Sequence, residues 1–211
     1  MVGLMKRALP WIVAAVALIG FGASFSELQR VRARFGEVTS HKFHDHAEVR
    51  EFIIRAALAE TRQPIVVIGD SVAEMAPLPR QICGRSVINA GVGGMTIREA
   101  KRLAARAIGE RGAFMVALAI GANDAGSQTA RQDFAELIEA VKPLSARPLV
   151  AISTAPDAQT SQQIGEAASG VLFVDPLLPP GSKMPDGIHF TAAAYSAWVP
   201  ALEAAIAKLC G

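Results

Sequence analysis

From residue 49 onward, short apolar segments alternate with amphipathic ones. The apolar segments lie at residues 65–68, 87–88, 114–120, 149–152 and 171–174. They are too short for helices and rich in Val, Ile and Leu, which predicts buried strands. Helices are predicted to begin near Thr96, Thr129 and Thr191. Strands that alternate with helices form parallel sheets covered on both faces. We therefore predict an α/β domain, a three-layer α/β/α sandwich around a parallel sheet of about five strands.

Two of the helices carry local signals of their own. Thr96 and Glu99 have the spacing of a capping box, which predicts a helix that starts directly after Thr96. At the start of the domain, Val49, Phe52, Ile53 and Ala56 recur at helical spacing. This spacing predicts a helix that buries these four side chains.

Four loops carry the residues that suit chemistry, and three of them directly follow predicted strands. They are residues 69–71 (Gly-Asp-Ser), 89–94 (Asn-Ala-Gly-Val-Gly-Gly), 121–124 (Gly-Ala-Asn-Asp) and 185–189 (Pro-Asp-Gly-Ile-His). Ligands of open α/β sheets bind at the carboxyl ends of the strands. The first three loops are therefore expected to meet at one edge of the sheet, with the fourth just before the last helix.

These loops contain the parts of a serine nucleophile system. A serine hydroxyl is a weak nucleophile until a base removes its proton. Histidine titrates near neutral pH and is the usual base, which assigns Ser71 as nucleophile and His189 as general base. Asp186 lies three residues before His189 and can orient its ring.

An oxyanion hole is predicted from the same loops. The backbone N–H groups of Ser71 and Gly94 and the side-chain amide of Asn123 are its expected donors. Gly91 is an alternative to Gly94. Each motif taken alone is more typical of a turn or a helix start than of a catalytic site, so the prediction depends on their combination and order.

This combination resembles the SGNH hydrolase superfamily, also called GDSL esterases and lipases. The four family blocks are matched by residues 68–71, by Gly94 within residues 89–96, by residues 121–124, and by Asp186 and His189 followed by Phe190–Tyr195. The resemblance covers about residues 62 to 208. It implies a flavodoxin-like sandwich and a serine esterase that needs no cofactor. Val72 and Ala194 depart from the residues that many members have there.

The amino terminus carries the longest apolar run of the chain. Residues 1–7 are short and basic, and residues 8–26 carry no charge. Nineteen residues as a helix span about 28 Å, close to the hydrocarbon core of a bilayer. Either a membrane anchor or a cleaved signal peptide fits residues 1–26, with a juxtamembrane helix and linker at 27–47 and the hydrolase domain at 48–211. Both interpretations predict an extracytoplasmic domain, anchored to the membrane or secreted.

Composition limits the classes of partner and cofactor. The net charge is only +2, and the domain has no basic patch with interleaved aromatic residues, so nucleic acid is not expected. No His/Cys spacing is typical of a zinc site, and metal binding by the histidines near residues 41–46 is the weaker interpretation. Cys83 and Cys210 are either two buried thiols or one disulfide, which requires an oxidising compartment.

The substrate is predicted less sharply than the reaction. The domain has no long insertion that would build a lid, which favours a small acyl group on a bulky carrier, such as an acetylated polysaccharide or cell-wall glycan. A lysophospholipid or thioester is the alternative, with Met95 and Val72 as candidate walls of an acyl groove. A non-catalytic module that binds glycans is a further alternative.

Overall fold

Six strands form one sheet in the part of the chain that the structure describes. The computed structural model describes the backbone of residues 2–211 and the side chains of residues 11, 16–33, 46–109 and 111–211. The strands are β1 (Ile65–Gly69), β2 (Gln81–Ile82), β3 (Arg85–Gly91), β4 (Met115–Ala119), β5 (Val150–Ile152) and β6 (Leu172–Val174). Their spatial order is β2-β3-β1-β4-β5-β6.

Five of these strands run parallel, as the sequence predicts. Counted along the chain, they lie in the order 2-1-3-4-5, which is the flavodoxin-like arrangement. The two-residue strand β2 was not predicted, and it pairs with β3 antiparallel at the edge of the sheet.

Helices cover both faces of the sheet, which confirms the three-layer sandwich. They are α1 (Val2–Glu60), α2 (Ser71–Glu74), α3 (Ile97–Ala107), α4 (Ala130–Val141), α5 (Ala158–Ala167) and α6 (Ala192–Lys208), with 3₁₀ turns at Gly109–Arg111 and Lys142–Leu144. Alternate residues of β1 enter two separate cores. Val66 and Ile68 pack with α3 and α4, whereas Ile65 and Val67 pack with α6. Burial on both faces explains why the strands are continuous apolar runs.

The residues of α1 fall in two compact units, Met1–His46 and Ala47–Gly211. In the first unit, the described side chains are exposed, Trp11 and Phe21 among them. Residues 36–47, which composition indicates as a linker, are helical in the structure. Apart from Gly36, this segment contains no residue that disfavours a helix strongly.

The predicted buried face of α1 in the second unit is wrong. Val49, Phe52 and Ile53 are about half or more exposed, whereas Ile54 and Leu58 are buried in the core. Arg50 also lies on the inward side, where its guanidinium donates to the backbone carbonyl of Gly91. A polar residue on the packed face interrupts the apolar stripe, so helical spacing alone selected the wrong side.

Within the described residues, no helix is long and apolar enough to cross a membrane. Part of the apolar run predicted as an anchor or signal peptide lies outside the described side chains, because residues 8–10 and 12–15 are among those not described. His41 and His44 of the predicted linker lie outside them as well.

Cys83 and Cys210 form a disulfide across 127 residues of sequence. Cys83 and Gly84 both have positive φ, at 53° and 71°, in the turn that joins β2 to β3. Positive φ at both central residues is typical of the two-residue hairpin turn. The disulfide joins the end of α6 to this turn. The turn lies where β3 begins, whereas Gly91 lies where β3 ends.

Candidate active site

The strand register brings the predicted loops to one edge of the sheet. Gly69 at the end of β1 pairs with Gly91 of β3 and with Ala119 of β4. Ser71, Gly94 and Asn123 follow these three aligned positions within two to four residues. The loop before α6 brings His189 to the same edge, where it contacts Ser71.

Ser71, His189 and Asp186 form one chain of hydrogen bonds. His189 Nε2 lies 3.0 Å from Ser71 Oγ, and His189 Nδ1 lies 2.6 Å from Asp186 Oδ2. The hydrogen bond from His189 lowers the pKa of Asp186 to about 2, so its side chain is a carboxylate near neutral pH. A carboxylate only accepts hydrogen bonds, which places the ring proton on Nδ1 and leaves Nε2 free to accept the Ser71 proton.

The loop that carries His189 is stabilised mainly by hydrogen bonds within the loop. Asp186 Oδ1 accepts from the N–H groups of Ile188 and His189, at 2.9 and 3.0 Å. Met184 N–H donates to the His189 carbonyl at 2.8 Å, and the Lys183 ammonium donates to the Ile188 carbonyl at 3.4 Å. Asp186 nevertheless stays 45% exposed and His189 33% exposed. The acid–base pair therefore lies on an open surface loop.

Three groups are available as oxyanion donors. Ser71 is the first residue of α2, so its N–H has no partner within the helix. Gly94 has φ +77°, a conformation that favours glycine, and its N–H donates to no described protein atom. Asn123 Nδ2 donates one hydrogen to the Met95 carbonyl at 3.0 Å, which orients the amide and leaves its second hydrogen available.

Gly91, the alternative oxyanion residue, is already engaged. Its N–H donates to Asn89 Oδ1 at 2.9 Å. A Cβ atom at this position would lie 2.3 Å from the backbone nitrogen of Glu74. Gly91 is thus required for the close packing of β3 against α2, and the structure favours Gly94 as the donor.

Asp70 joins the nucleophile turn to the Asn123 loop, a role that the sequence analysis missed. Its carboxylate is fully buried. Oδ2 accepts from the N–H groups of Gly121 and Ala122 and from the hydroxyl of Thr154, at 2.8 to 3.0 Å, and Oδ1 accepts from Val72 N–H. Burial raises the pKa of Asp70, whereas these four donors oppose the rise. The Gly-Asp-Ser motif was the available signal, but it does not show the partners of the aspartate.

Asp124 links the Asn123 loop to the start of α3. Its Oδ2 accepts from the Ile97 N–H at 3.1 Å, and Thr96 with Glu99 forms the predicted capping box at the same helix start. Only 6% of Asp124 is exposed. Burial is the main cause that raises the pKa of Asp124 to about 6.

Glu74 and Arg50 support the loop that contains Gly94. Glu74 Oε2 accepts from the Gly93 N–H at 2.6 Å, and Glu74 Oε1 lies 3.2 Å from Arg50 Nε. Arg50 also donates to the carbonyls of Gly91 and Asn89. The sequence offered no motif for this pair, because Arg50 lies 41 residues before Gly91 in a helix outside the four loops.

One of the two predicted walls of an acyl groove is wrong. Val72 is fully buried and lines no open groove, whereas Met95, at 6% exposure, lines a pocket of about 220 Å³ together with Gly93 and Gly94. Tyr195, from the last family-like block, donates its hydroxyl to the Val72 carbonyl at 2.8 Å. Burial raises the pKa of Tyr195 to about 12, so the phenol stays protonated and braces the helix that begins at Ser71.

Comparisons with solved structures support the same fold. A protein from Streptococcus pneumonia named for platelet activating factor superposes with a TM-score of 0.63 at 20% identity, over 82% of this chain and 98% of that one. An acetylxylan esterase from Geobacillus stearothermophilus gives 0.53 at 17% identity, over 69% and 94%. A lipase/acylhydrolase from Enterococcus faecalis gives 0.52 at 19% identity, over 69% and 94%.

No family model matches the chain, and no curated protein does. The likeness to solved structures therefore establishes the fold. The proposed roles of individual residues rest on the geometry of this chain.

Proposed function

We propose that the protein is a serine esterase that hydrolyses carboxylic esters through an acyl-enzyme. The observation that carries this proposal is the hydrogen-bonded chain from Ser71 Oγ through His189 to Asp186. An arrangement of this kind activates a serine for acyl transfer. A glycan-binding module would need no such chain, so the non-catalytic alternative is disfavoured.

The proposed reaction has two halves. His189 Nε2 takes the Ser71 proton as Oγ attacks the ester carbonyl, and the donors of Ser71, Gly94 and Asn123 stabilise the oxyanion. His189 then protonates the leaving alcohol. In the second half, water attacks the acyl-enzyme with His189 as base, which releases the acid and restores the Ser71 hydroxyl.

A small acyl group is the substrate feature that we propose. Gly94, Asn123 and Asp186 are all exposed, so the centre is open enough for an ester that projects from a large carrier. The similar acetylxylan esterase and lipase/acylhydrolase structures support ester hydrolysis, and the former supports O-deacetylation of a glycan. The disulfide supports a location outside the cytoplasm. Attachment to a membrane through residues 1–26 stays a prediction.

A fluorophosphonate probe tests for the activated serine. The full chain is treated with the probe, alongside Ser71→Ala and the matched control Ser169→Ala, an exposed serine in the turn that follows α5. We expect labelling at Ser71 in the wild type and in Ser169→Ala, and none in Ser71→Ala. Folded wild-type protein that takes up no label would reject the esterase in favour of the binding module.

A further inference from the structure

An apolar groove lies beside the catalytic centre, in the unit Ala47–Gly211. Its volume is about 640 Å³. Its walls include Met75, Pro77, Met184, Phe190, Tyr195 and Val199. Met75 and Met184 are 47% and 40% exposed. The polar atoms of the wall are turned away or locally bonded, because the Tyr195 hydroxyl donates to Val72 and the Ser196 hydroxyl to Ala193.

Backbone contacts connect this groove to the catalytic residues. Met184 N–H donates to the carbonyl of His189 at 2.8 Å, and Phe190 follows His189 directly. Met75 N–H donates to the carbonyl of Ser71 at 3.1 Å, so Met75 lies one helical turn after the nucleophile. The two exposed methionines therefore flank the Ser71–His189 pair. Methionine is a flexible apolar side chain that adapts to varied ligands.

The order of proton transfer determines which part of an ester faces the groove. In the tetrahedral intermediate, the oxyanion lies at the loops that follow β1, β3 and β4. The alkoxy oxygen must lie within hydrogen-bond reach of His189 Nε2, because His189 protonates it as the C–O bond breaks. The groove is lined by Met184 and Phe190 from the loop that carries His189, and by no residue of the loops that carry Gly94 and Asn123. It is thus placed to receive the carbon chain of the alcohol.

We propose that this groove is a subsite for an apolar leaving alcohol, so that the preferred substrates are short-acyl esters of apolar alcohols rather than acetylated glycans. The inference rests on the proposed esterase function and narrows its substrate class. The part of α6 that lines the groove runs from Ala192 to Pro200. Its eight residue steps correspond to about 12 Å of helix, which sets the length of alcohol that the groove can cover.

Two matched series of esters test the assignment on the full chain. One series holds the acid as acetate and lengthens a straight-chain alcohol from methanol to hexanol. The other holds the alcohol as ethanol and lengthens the acid from acetate to hexanoate. Release of acid is followed by titration. We expect kcat/KM to rise about two- to fourfold per methylene along the alcohol series, as expected for partial to full burial of a CH₂ group, and to change little along the acid series.

A pair of tryptophan variants on α6 supplies the structural control. Ser196→Trp fills the groove one turn away from Ala192, and we expect it to reduce the hexyl-to-methyl acetate preference to near one. Ala193→Trp adds the same side chain at a neighbouring exposed position outside the groove wall. It should retain the wild-type preference. Thermal unfolding of both variants shows that each is folded.

The outcomes separate the subsite from the reaction. A rise along the acid series alone would assign the groove to the acyl chain and overturn the proposal. Flat profiles in both series, with Ser71 still labelled by the fluorophosphonate, would show that the groove binds no part of the ester while the esterase function stands. If Ser71 is unlabelled and no ester is cleaved, the proposed function fails and the subsite fails with it.

Discussion

The two halves of the candidate site are stabilised by different means. In the oxyanion half, the loops with Ser71, Gly94 and Asn123 are linked to one another by three carboxylates, those of Asp70, Glu74 and Asp124. The acid–base half, residues 181–191, is a partly exposed loop whose hydrogen bonds lie chiefly within it, with Phe190 buried in the core.

The difference follows from what each half does in the proposed reaction. Oxyanion donors act only if they are fixed before charge develops on the substrate, so reorganisation at that step must be small. Proton transfer through His189 needs one ring nitrogen within reach of Ser71, and a short loop with its own turn can provide that. Buried attachment should therefore couple the oxyanion half to the stability of the fold, whereas the acid–base half should be separable from it.

Removal of the general base is the strongest way to test this separation. We expect His189→Ala to lower kcat on phenyl acetate by about 10⁴-fold or more. Its unfolding midpoint in urea should stay within experimental error of the wild type, because residues 181–191 are partly exposed and bonded among themselves. A large fall in the midpoint would show that the loop is coupled to the core. The two halves of the site would then not differ in their coupling to the stability of the fold.

Asp70→Asn should affect activity and stability together. The new amide group must face one or more of the N–H and hydroxyl donors that now meet the carboxylate. A buried group left without its partner costs about 1–3 kcal/mol, so we expect unfolding to require about 3 kcal/mol less free energy, measured by urea titration. We expect kcat to fall about 10²-fold, because the turns that carry Ser71 and Asn123 lose their common acceptor.

Asp157→Asn provides the matched control for this variant. Asp157 is an exposed N-cap residue of α5 that accepts from Thr160 N–H. Asparagine is nearly as good an N-cap as aspartate, so both kcat and the unfolding free energy should stay close to wild type. If Asp70→Asn behaved like this control, the buried carboxylate would not couple the two turns.

The elements and loops whose signals are local can be predicted from the sequence. The parallel strands and the short motifs around Ser71, Asn123 and His189 are each contained within a few residues, and strand topology then aligns the first two. The contacts that support the oxyanion half are not local. Asp70 meets Thr154 across 84 residues, and Arg50 meets Gly91 across 41. Such contacts depend on the order of strands in the sheet, which a single sequence does not specify.

Three other features of the structure also lack a local signal in the sequence. Strand β2 has only two residues, too few to show an alternating pattern. The pairing of Cys83 with Cys210 follows from where a hairpin turn and the end of α6 lie in space. The exposed Met75 and Met184 come together from opposite ends of the domain. In the sequence they are two unrelated methionines, so no local pattern indicates this groove.

The stability of the oxyanion half should depend on pH through Asp124. Burial raises the pKa of Asp124 in the folded protein to about 6, above the value of 3.8 that is ordinary for an aspartate. The protonated form is therefore favoured by folding, and the resulting stability is fully present below pH 3.8 and is lost as pH rises through 6. Asp124→Asn removes this titration. At each pH, the unfolding free energy of Asp124→Asn is subtracted from that of the wild type. We expect this difference to fall by about 1–2 kcal/mol between pH 4 and pH 7. A difference that stays constant over this range would contradict the raised pKa.

The smallest expected effect is that of Glu74, and it tests whether the oxyanion half must be fixed at all. Glu74→Ala removes the acceptor for Gly93 N–H, next to Gly94, and should lower kcat about tenfold, a fraction of the loss expected from a missing oxyanion donor. KM should stay unchanged, because the oxyanion contact is made only in the transition state. Glu74→Gln retains an oxygen that can accept from Gly93 and should recover most of the loss, whereas Glu136→Ala, on the exposed face of α4, should have no effect. A rise in KM at constant kcat, or a Glu74→Gln variant as slow as Glu74→Ala, would mean that Glu74 contributes to packing rather than to the position of Gly94.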